Sequence, residues 1–126
     1  MKGTIIIADD SAIIKNIVEK GLNDEYNILK ASNGKEVINY VESDINNVTG
    51  LLLDLNMPEY DGFMVLEYFK TNNLFNRIPV AIISGDDTKE TIDRAFSYNI
   101  VDMLNKPFTS ENIKNIVSKM NSYHNQ

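Results

Sequence analysis

The sequence predicts an α/β protein with one doubly wound parallel sheet and helices on both of its faces. Short apolar runs rich in β-branched residues alternate with amphipathic stretches that have helical spacing. No internal repeat or linker interrupts this alternation. Because parallel strands need crossover connections, the pattern indicates five strands and five helices in a single domain over residues 1–126.

The first part of the chain contains two strand–helix units. We predict a strand over Thr4–Ala8 and then a helix from Ser11 to Leu22, which Asp10 or Ser11 can cap. The second strand, from Tyr26 to Ala31, is expected at a sheet edge because polar residues interrupt its apolar character. Asn33-Gly34 then indicates a turn before the second helix.

The rest of the chain continues the alternation. The third strand ends with Leu51-Leu52-Leu53-Asp54, the fourth comprises Val80–Ile83, and the fifth comprises Ile100–Leu104. A polar loop rich in turn-forming residues follows the third strand. The apolar stripes of the second to fifth helices are Val37, Ile38 and Val41; Phe63, Leu66 and Phe69; Ile92, Ala95 and Phe96; and Ile113, Ile116, Val117 and Met120.

Composition excludes several classes of protein. The chain has no cysteine, so disulfides and thiolate metal sites are excluded. Its apolar runs are far shorter than the roughly 20 residues that span a bilayer, and its start lacks a signal-peptide core, so we expect a cytoplasmic protein. The formal charge of -6 argues against nucleic-acid binding by this segment and suits divalent cations or basic partners.

Acidic residues end two of the predicted strands. Asp9 and Asp10 follow the first strand and Asp54 ends the third, while Lys106 follows the fifth. Ligands of such sheets bind beyond the carboxyl ends of the strands, so these side chains should converge. One lysine against three carboxylates leaves a charge of about -2, which Mg²⁺ would balance. Helix capping by Asp10 and a solvated Asp9 remain the alternative.

A carboxylate beside a cation is also a possible nucleophile toward a phosphoryl group. Asp54 could form an aspartyl phosphate, with the phosphoryl oxygens contacted by Lys106 and by the hydroxyl of Ser84, which ends the fourth strand. The alternatives are that Ser84-Gly85 is a plain turn and that Lys106 is a solvated surface residue.

These motifs together resemble the receiver domain of bacterial two-component response regulators over essentially the whole chain. The resemblance implies a flavodoxin-like sheet with strand order 2-1-3-4-5. The matching residues are Asp9-Asp10, Asp54, Asn56-Met57-Pro58, Asp61-Gly62, Ser84-Gly85 and Lys106-Pro107-Phe108.

The resemblance implies a role for each matching residue. A sensor histidine kinase or phosphotransfer domain would donate a phosphoryl group to Asp54. Asp10, Asp54 and the backbone carbonyl of Asn56 would bind Mg²⁺ (or Mn²⁺), with Asp9 acting mainly through water. Lys106 would pair with Asp54 and then with a phosphoryl oxygen. The hydroxyl of Ser84 would contact another phosphoryl oxygen.

Other positions would tune the switch. Asn56 and Asp86 lie where the family controls the attacking water, and their polarity predicts a short-lived phosphoryl group. Gly85 and Pro107 belong to the switch region, and the Lys106-Pro107 bond is expected to be cis. Met103 replaces the family's usual aromatic switch residue, so output through the face of the fourth helix, fifth strand and fifth helix is expected without an aromatic readout.

The resemblance implies a phosphorylation-activated switch that catalyses its own phosphorylation and dephosphorylation rather than a conventional turnover enzyme. It would control a downstream protein or a fused effector domain, as a monomer or a weak phosphorylation-dependent dimer. A stand-alone receiver and a segment of a longer regulator both remain open.

Three rival functions are disfavoured by particular residues. A phosphotransferase of the haloacid-dehalogenase type would need an acid at Asn56 and a hydroxyl at Pro58. A flavodoxin-like cofactor site would need a phosphate loop after the first strand, where Asp9-Asp10-Ser11 would repel phosphate. A pseudo-receiver would be expected to lack some of the acidic or lysine residues.

Overall fold

The computed structural model describes residues 2–124 and contains five parallel strands in the order β2-β1-β3-β4-β5. This is the predicted doubly wound fold. Strand β2 lies at an edge, as expected from its polar residues. In chain order the elements are β1 Thr4–Ala8, α1 Ala12–Leu22, β2 Asn27–Ala31, α2 Gly34–Asp44, β3 Val48–Asp54, α3 Gly62–Thr71, β4 Val80–Ser84, α4 Lys89–Phe96, β5 Asp102–Asn105 and α5 Ser110–His124.

Alternate strand residues point to opposite faces of the sheet and form two separate apolar layers. On one face, Ile6 and Leu51 pack with residues of α2, α3 and α4, including the fully buried Phe69. On the other face, Ile5 and Leu52 pack with residues of α1 and α5. Strands that are apolar on both faces therefore occupy the centre of the sheet, and helices cover both sides.

Short polar side chains begin four of the helices. Ser11, Asn33, Asp61 and Thr88 each accept a hydrogen bond from the backbone N–H three residues later. Ser11, not Asp10, therefore caps α1. Asn33 lies at a helix start rather than in a separate turn, because α2 begins directly at Gly34. None of the helices within residues 2–124 is long and apolar enough to cross a membrane.

The observed bounds differ from the predicted ones mainly at β3 and β5. Strand β3 begins at Val48, before the apolar run that starts at Leu51. Thr49 and Gly50 interrupt the apolar pattern but belong to the strand. Strand β5 begins at Asp102 rather than at Ile100. Ile100 and Val101 are buried, but they lie in the connection that precedes the strand.

Candidate functional site

The carboxyl ends of β1 and β3 bring three aspartates together. Asp9 and Asp10 follow β1, and Asp54 is the last residue of β3. Each offers a carboxylate oxygen, and these oxygens lie within 4.8 Å of one another. Asp9 and Asp54 are 0% and 2% exposed, whereas Asp10 is exposed at the rim. The predicted acidic cluster is confirmed.

Lys106 lies between the two buried carboxylates. Its Nζ atom is 2.7 Å from Asp9 Oδ2 and 3.2 Å from Asp54 Oδ2. The expectation of a contact with Asp54 is met, but the closer contact is with Asp9. The backbone N–H of Lys106 donates a hydrogen bond of 2.9 Å to the carbonyl of Ser84, which links β5 to β4 at the site. The Lys106-Pro107 peptide bond is cis, as predicted.

Asp9 holds one carboxylate oxygen in place and leaves the other without a hydrogen bond. Its Oδ1 accepts from the backbone N–H of Ser11 at 2.9 Å. The ammonium of Lys106 forms an ion pair with Oδ2 at 2.7 Å, and Oδ2 accepts no hydrogen bond. Among the side chains of residues 2–122, Oδ2 is the single buried polar atom that lacks a hydrogen bond. Such an oxygen beside two further carboxylates fits a hard divalent cation.

The pKa values at the site follow from burial and charge. Burial raises the pKa of Asp54, and the neighbouring charge of Asp9 raises it further. Lys106 and the N–H of Asn56 oppose this, but the net pKa lies above the usual value. Burial lowers the pKa of Lys106, but the carboxylates of Asp9 and Asp54 outweigh burial and raise it overall. The lysine therefore stays charged at neutral pH.

The loop after β3 closes around Asp54. The backbone N–H of Asn56 donates to Asp54 Oδ1 at 3.3 Å, while the Asn56 side chain is exposed. Gly62 begins α3 against this loop, and a Cβ atom there would lie 2.5 Å from the carbonyl oxygen of Asp54 and 2.6 Å from the Cα of Leu55. Only glycine fits this approach, which explains the Asp61-Gly62 pair: Asp61 caps the helix and Gly62 lets it pack.

The loop after β4 forms the opposite side of the site. Ser84 is buried, and its Oγ donates to the carbonyl of Asp86 at 3.2 Å and accepts from the N–H of Asp86 at 3.0 Å. Between the two loops lies a cleft of about 830 Å³. The cleft is lined by Asp10, Asp54, Leu55, Asn56, Met57, Pro58, Asp61, Phe63, Ser84, Gly85, Asp86, Thr91 and Lys106.

Two of the predicted switch residues lie outside the lining of this cleft. Met103 lies in β5, is half-buried and packs against the core layer that contains α3 and α4. Pro107 is exposed beside Lys106.

The structure also brings in side chains that sequence reasoning missed: Thr91 and Phe63 line the cleft, and Arg94 lies 3.8 Å above the centre of the Phe63 ring. The sequence signal that pointed to Thr91 was its position three residues after Thr88, which places it in the first turn of α4.

The domain thus combines a doubly wound α/β fold with three carboxylates and a lysine at the carboxyl ends of its strands. Residues 5–118 match the response regulator receiver domain family. The chain belongs to this family, which works in two-component signalling.

Curated relatives come from plants and bacteria. The chain is 30% identical over 91 residues to the two-component response regulator-like PRR37 of Oryza sativa subsp. japonica, a match that covers 72% of this chain and 12% of PRR37. It is 27% identical over 113 residues to the chemotaxis protein CheY1 of Helicobacter pylori, covering 87% of this chain and 90% of CheY1. The chain thus spans a small part of some relatives and most of others.

Solved structures share the fold. The signal receiver domain of an HD domain-containing protein from Pseudomonas fluorescens Pf-5 superposes with a TM-score of 0.87 at 16% identity, over 99% of this chain and 98% of that one. The chemotaxis response regulator CheY4 of Vibrio cholerae gives a TM-score of 0.82 at 20% identity, over 95% and 99%. These matches confirm the predicted strand order and helix arrangement.

Proposed function

We propose that this domain is a phosphorylation-controlled signalling switch in which Asp54 accepts a phosphoryl group from a phosphohistidine. The observation that carries the proposal is the placement of Asp54. Its carboxylate is nearly buried at the end of β3, yet it lines an open cleft that Asp10 and Lys106 also line. Receiver domains partner with histidine kinases and effector domains, so the donor would be a sensor histidine kinase or a phosphotransfer domain.

The transfer needs an ionised Asp54 and no proton movement by the protein. A carboxylate oxygen of Asp54 attacks phosphorus and forms the new O–P bond. The N–P bond of the phosphohistidine breaks, and its electron pair returns to the imidazole nitrogen. Lys106 opposes the rise in the pKa of Asp54 and so favours the attacking carboxylate form. Its ammonium and the Ser84 hydroxyl then contact oxygens of the transferred group.

The residues present fit a divalent cation, Mg²⁺ or Mn²⁺. Asp9, Asp10, Asp54 and the backbone carbonyl of Asn56 would hold it, and the oxygen of Asp9 without a hydrogen bond is the sign of such a need. When bound, the cation supplies positive charge that offsets the charge of the phosphoryl oxygens.

Two exposed polar residues at the cleft, Asn56 and Asp86, would admit a hydrolytic water to the phosphorylated Asp54. The domain would then catalyse its own dephosphorylation without being a conventional turnover enzyme, and the phosphoryl group would be short-lived. A half-life of many hours, unchanged in Asn56→Ala, would contradict this part of the proposal.

The output would use the face made by α4, β5 and α5, switched by a shift in population between two arrangements. The half-buried Met103 lies in β5, where the family usually has an aromatic residue. Gly85 lies directly after β4, and Pro107 lies two residues after β5. Amide exchange measured before and after phosphorylation should change within residues 84–120. Changes confined to the rest of the domain would exclude this face.

The proposed switch function implies a cellular location and a set of partners. The domain would act in the cytoplasm on a downstream protein or a fused effector domain, as a monomer or a weak phosphorylation-dependent dimer. The net charge of -6 argues against direct nucleic-acid binding by this segment.

The proposal is tested by incubating the protein with acetyl phosphate and Mg²⁺ and measuring its intact mass. A single added phosphate is expected, and it should be absent in Asp54→Asn. Asp61→Asn is the matched control: Asp61 lines the same cleft, but asparagine is an equally good helix cap, so this variant should still be phosphorylated. Phosphate retained in Asp54→Asn would refute the proposal.

A further inference from the structure

The hydroxyl of Ser84 is committed to its own loop. It has one proton, which it donates to the carbonyl of Asp86, and it accepts the N–H of the same residue. To donate to a phosphoryl oxygen on Asp54, the hydroxyl must first release the Asp86 carbonyl. Whatever holds Asp86 in place therefore opposes the arrangement that phosphorylation requires.

Two groups at the start of α4 hold the carboxylate of Asp86. Its Oδ1 accepts from the backbone N–H of Thr88 at 2.9 Å, and its Oδ2 accepts from the hydroxyl of Thr91 at 2.8 Å. These two hydrogen bonds, together with a further one from the Thr88 side chain, lower the pKa of Asp86 below its usual value, so the carboxylate is charged throughout the neutral range. Asp86 is exposed, so hydrogen bonding rather than burial fixes this side chain.

The Thr91 contact is not part of the helix cap. Thr88 caps α4 through its own side chain, which accepts from the N–H of Thr91. The Thr91 hydroxyl points to Asp86 instead, and both residues line the cleft that contains Asp54. A chain of hydrogen bonds thus runs from α4 through Asp86 to Ser84.

We propose that Thr91 is a positioning residue for phosphoryl transfer: its hydroxyl holds Asp86, and Asp86 holds the Ser84 hydroxyl away from the phosphoryl group. This inference rests on the proposed function. Loss of the Thr91 hydroxyl should make the β4–α4 loop easier to rearrange and should speed phosphorylation of Asp54. Displacement of Ser84 toward the phosphoryl group would in turn release Asp86 from Thr91 and so alter the start of α4.

The test measures the rate of phosphorylation by acetyl phosphate in excess Mg²⁺, followed by intact mass. Asp54 gains the O–P bond, and acetate leaves with the electron pair of the broken P–O bond. Thr91→Val, which keeps the shape but removes the hydroxyl, should react about threefold faster, the effect expected for one partly solvated hydrogen bond. Thr91→Ser restores a hydroxyl and should react at the wild-type rate.

Two further variants separate positioning from a general loosening of α4. Thr91→Ala raises helix propensity, so a faster reaction in that variant cannot come from a weaker helix. Lys89→Ala removes the exposed ion pair with Asp93 on the same helix but leaves Asp86 and Thr91 intact, and it should react at the wild-type rate.

A double-mutant cycle tests the route through Ser84. In a Ser84→Ala background, Thr91→Val should change the rate no further, because the hydroxyl it positions is gone. An equal acceleration in both backgrounds would overturn the proposed route. If the wild type is phosphorylated and Thr91→Val and Thr91→Ala react at its rate, the role of Thr91 is wrong while the proposed function stands. If the wild type gains no phosphate, the proposed function itself fails.

Discussion

Lys106 and Asp9 form the closest ion pair of the acidic cluster, with Nζ 2.7 Å from Oδ2. The same ammonium lies 3.2 Å from Asp54. A single positive charge, itself only 23% exposed, thus offsets two buried negative charges. Removal of this charge would leave two buried carboxylates beside each other without a cation, which is destabilising.

The first prediction concerns the removal of that cation. Lys106→Met should lower the free energy of unfolding by about 2 kcal/mol in the absence of divalent ions, because two buried carboxylates lose their partner. Urea denaturation with and without Mg²⁺ measures the effect, and Mg²⁺ should restore more stability to this variant than to the wild type. Lys30→Met removes a surface pair with Glu19 and an exposed hydrogen bond to Asn16, so it should change stability by less than about 1 kcal/mol. Equal losses in the two variants would contradict the assigned geometry.

The second prediction follows from the raised pKa of Asp54. The folded protein binds a proton at Asp54 more tightly than the unfolded chain, so wild-type stability falls as pH rises from about 3.9 through the raised pKa. Without divalent ions, Asp54→Asn should therefore be more stable than the wild type at neutral pH, on the order of 1 kcal/mol. The difference should vanish in acid. Urea denaturation over a pH series tests this, and a variant less stable than the wild type at neutral pH would oppose it.

The third prediction concerns the close approach of α3 to the Asp54 loop. Gly62→Ala should destabilise the fold by about 2 to 3 kcal/mol, because its Cβ would meet the backbone of Asp54 and Leu55. Thermal unfolding measures the loss. Gly85→Ala is the control, since a Cβ there meets nothing within 4 Å, and this change should be close to neutral.

The fourth prediction concerns the pair of Asp102 on β5 and Lys119 on α5, whose charged atoms are 2.8 Å apart. Burial raises the pKa of Asp102, but hydrogen bonds from Lys119 and from the N–H of Met103 outweigh it, and the net pKa is lowered. The resulting stability is present above the unfolded pKa and is lost as pH falls through the folded pKa. Asp102→Asn should thus be less stable than the wild type at neutral pH, by less than about 1 kcal/mol because the pair is partly solvated.

Unfolding curves at neutral and at acid pH check the fourth prediction, since the difference should disappear in acid. Asp93→Asn, which affects only an exposed pair on α4, is the control and should show little difference at either pH. A difference that persists at low pH would point to packing rather than to charge.

Most of the fold could be predicted because burial controls the sequence pattern. Strands β1 and β4 are buried along their whole length, so they read as uninterrupted apolar runs. The polar character of β2 correctly indicated a sheet edge. The first residues of β3 were missed because Gly50 lies under the side chains of Met120 and Ile5, a contact between residues distant in sequence.

The site was predictable as a set of residues but not as a set of contacts. The position of Asp9, Asp54 and Lys106 after strands indicated that they converge. The preference of Lys106 for Asp9 depends on the register of neighbouring strands, which local patterns do not contain. The hydrogen bond from Thr91 to Asp86 depends on how α4 meets the loop, so it emerged only from the structure.

The hydrogen bond from the Lys106 N–H to the Ser84 carbonyl holds the residue that follows β5 at a fixed separation from the last residue of β4. Side chains and loops can rearrange around this link without changing the distance between the two backbones. A deletion of a single residue from β5 would shift the register and turn the lysine toward the other face of the sheet. The length of β5 is therefore constrained as strictly as the identity of the lysine that follows it.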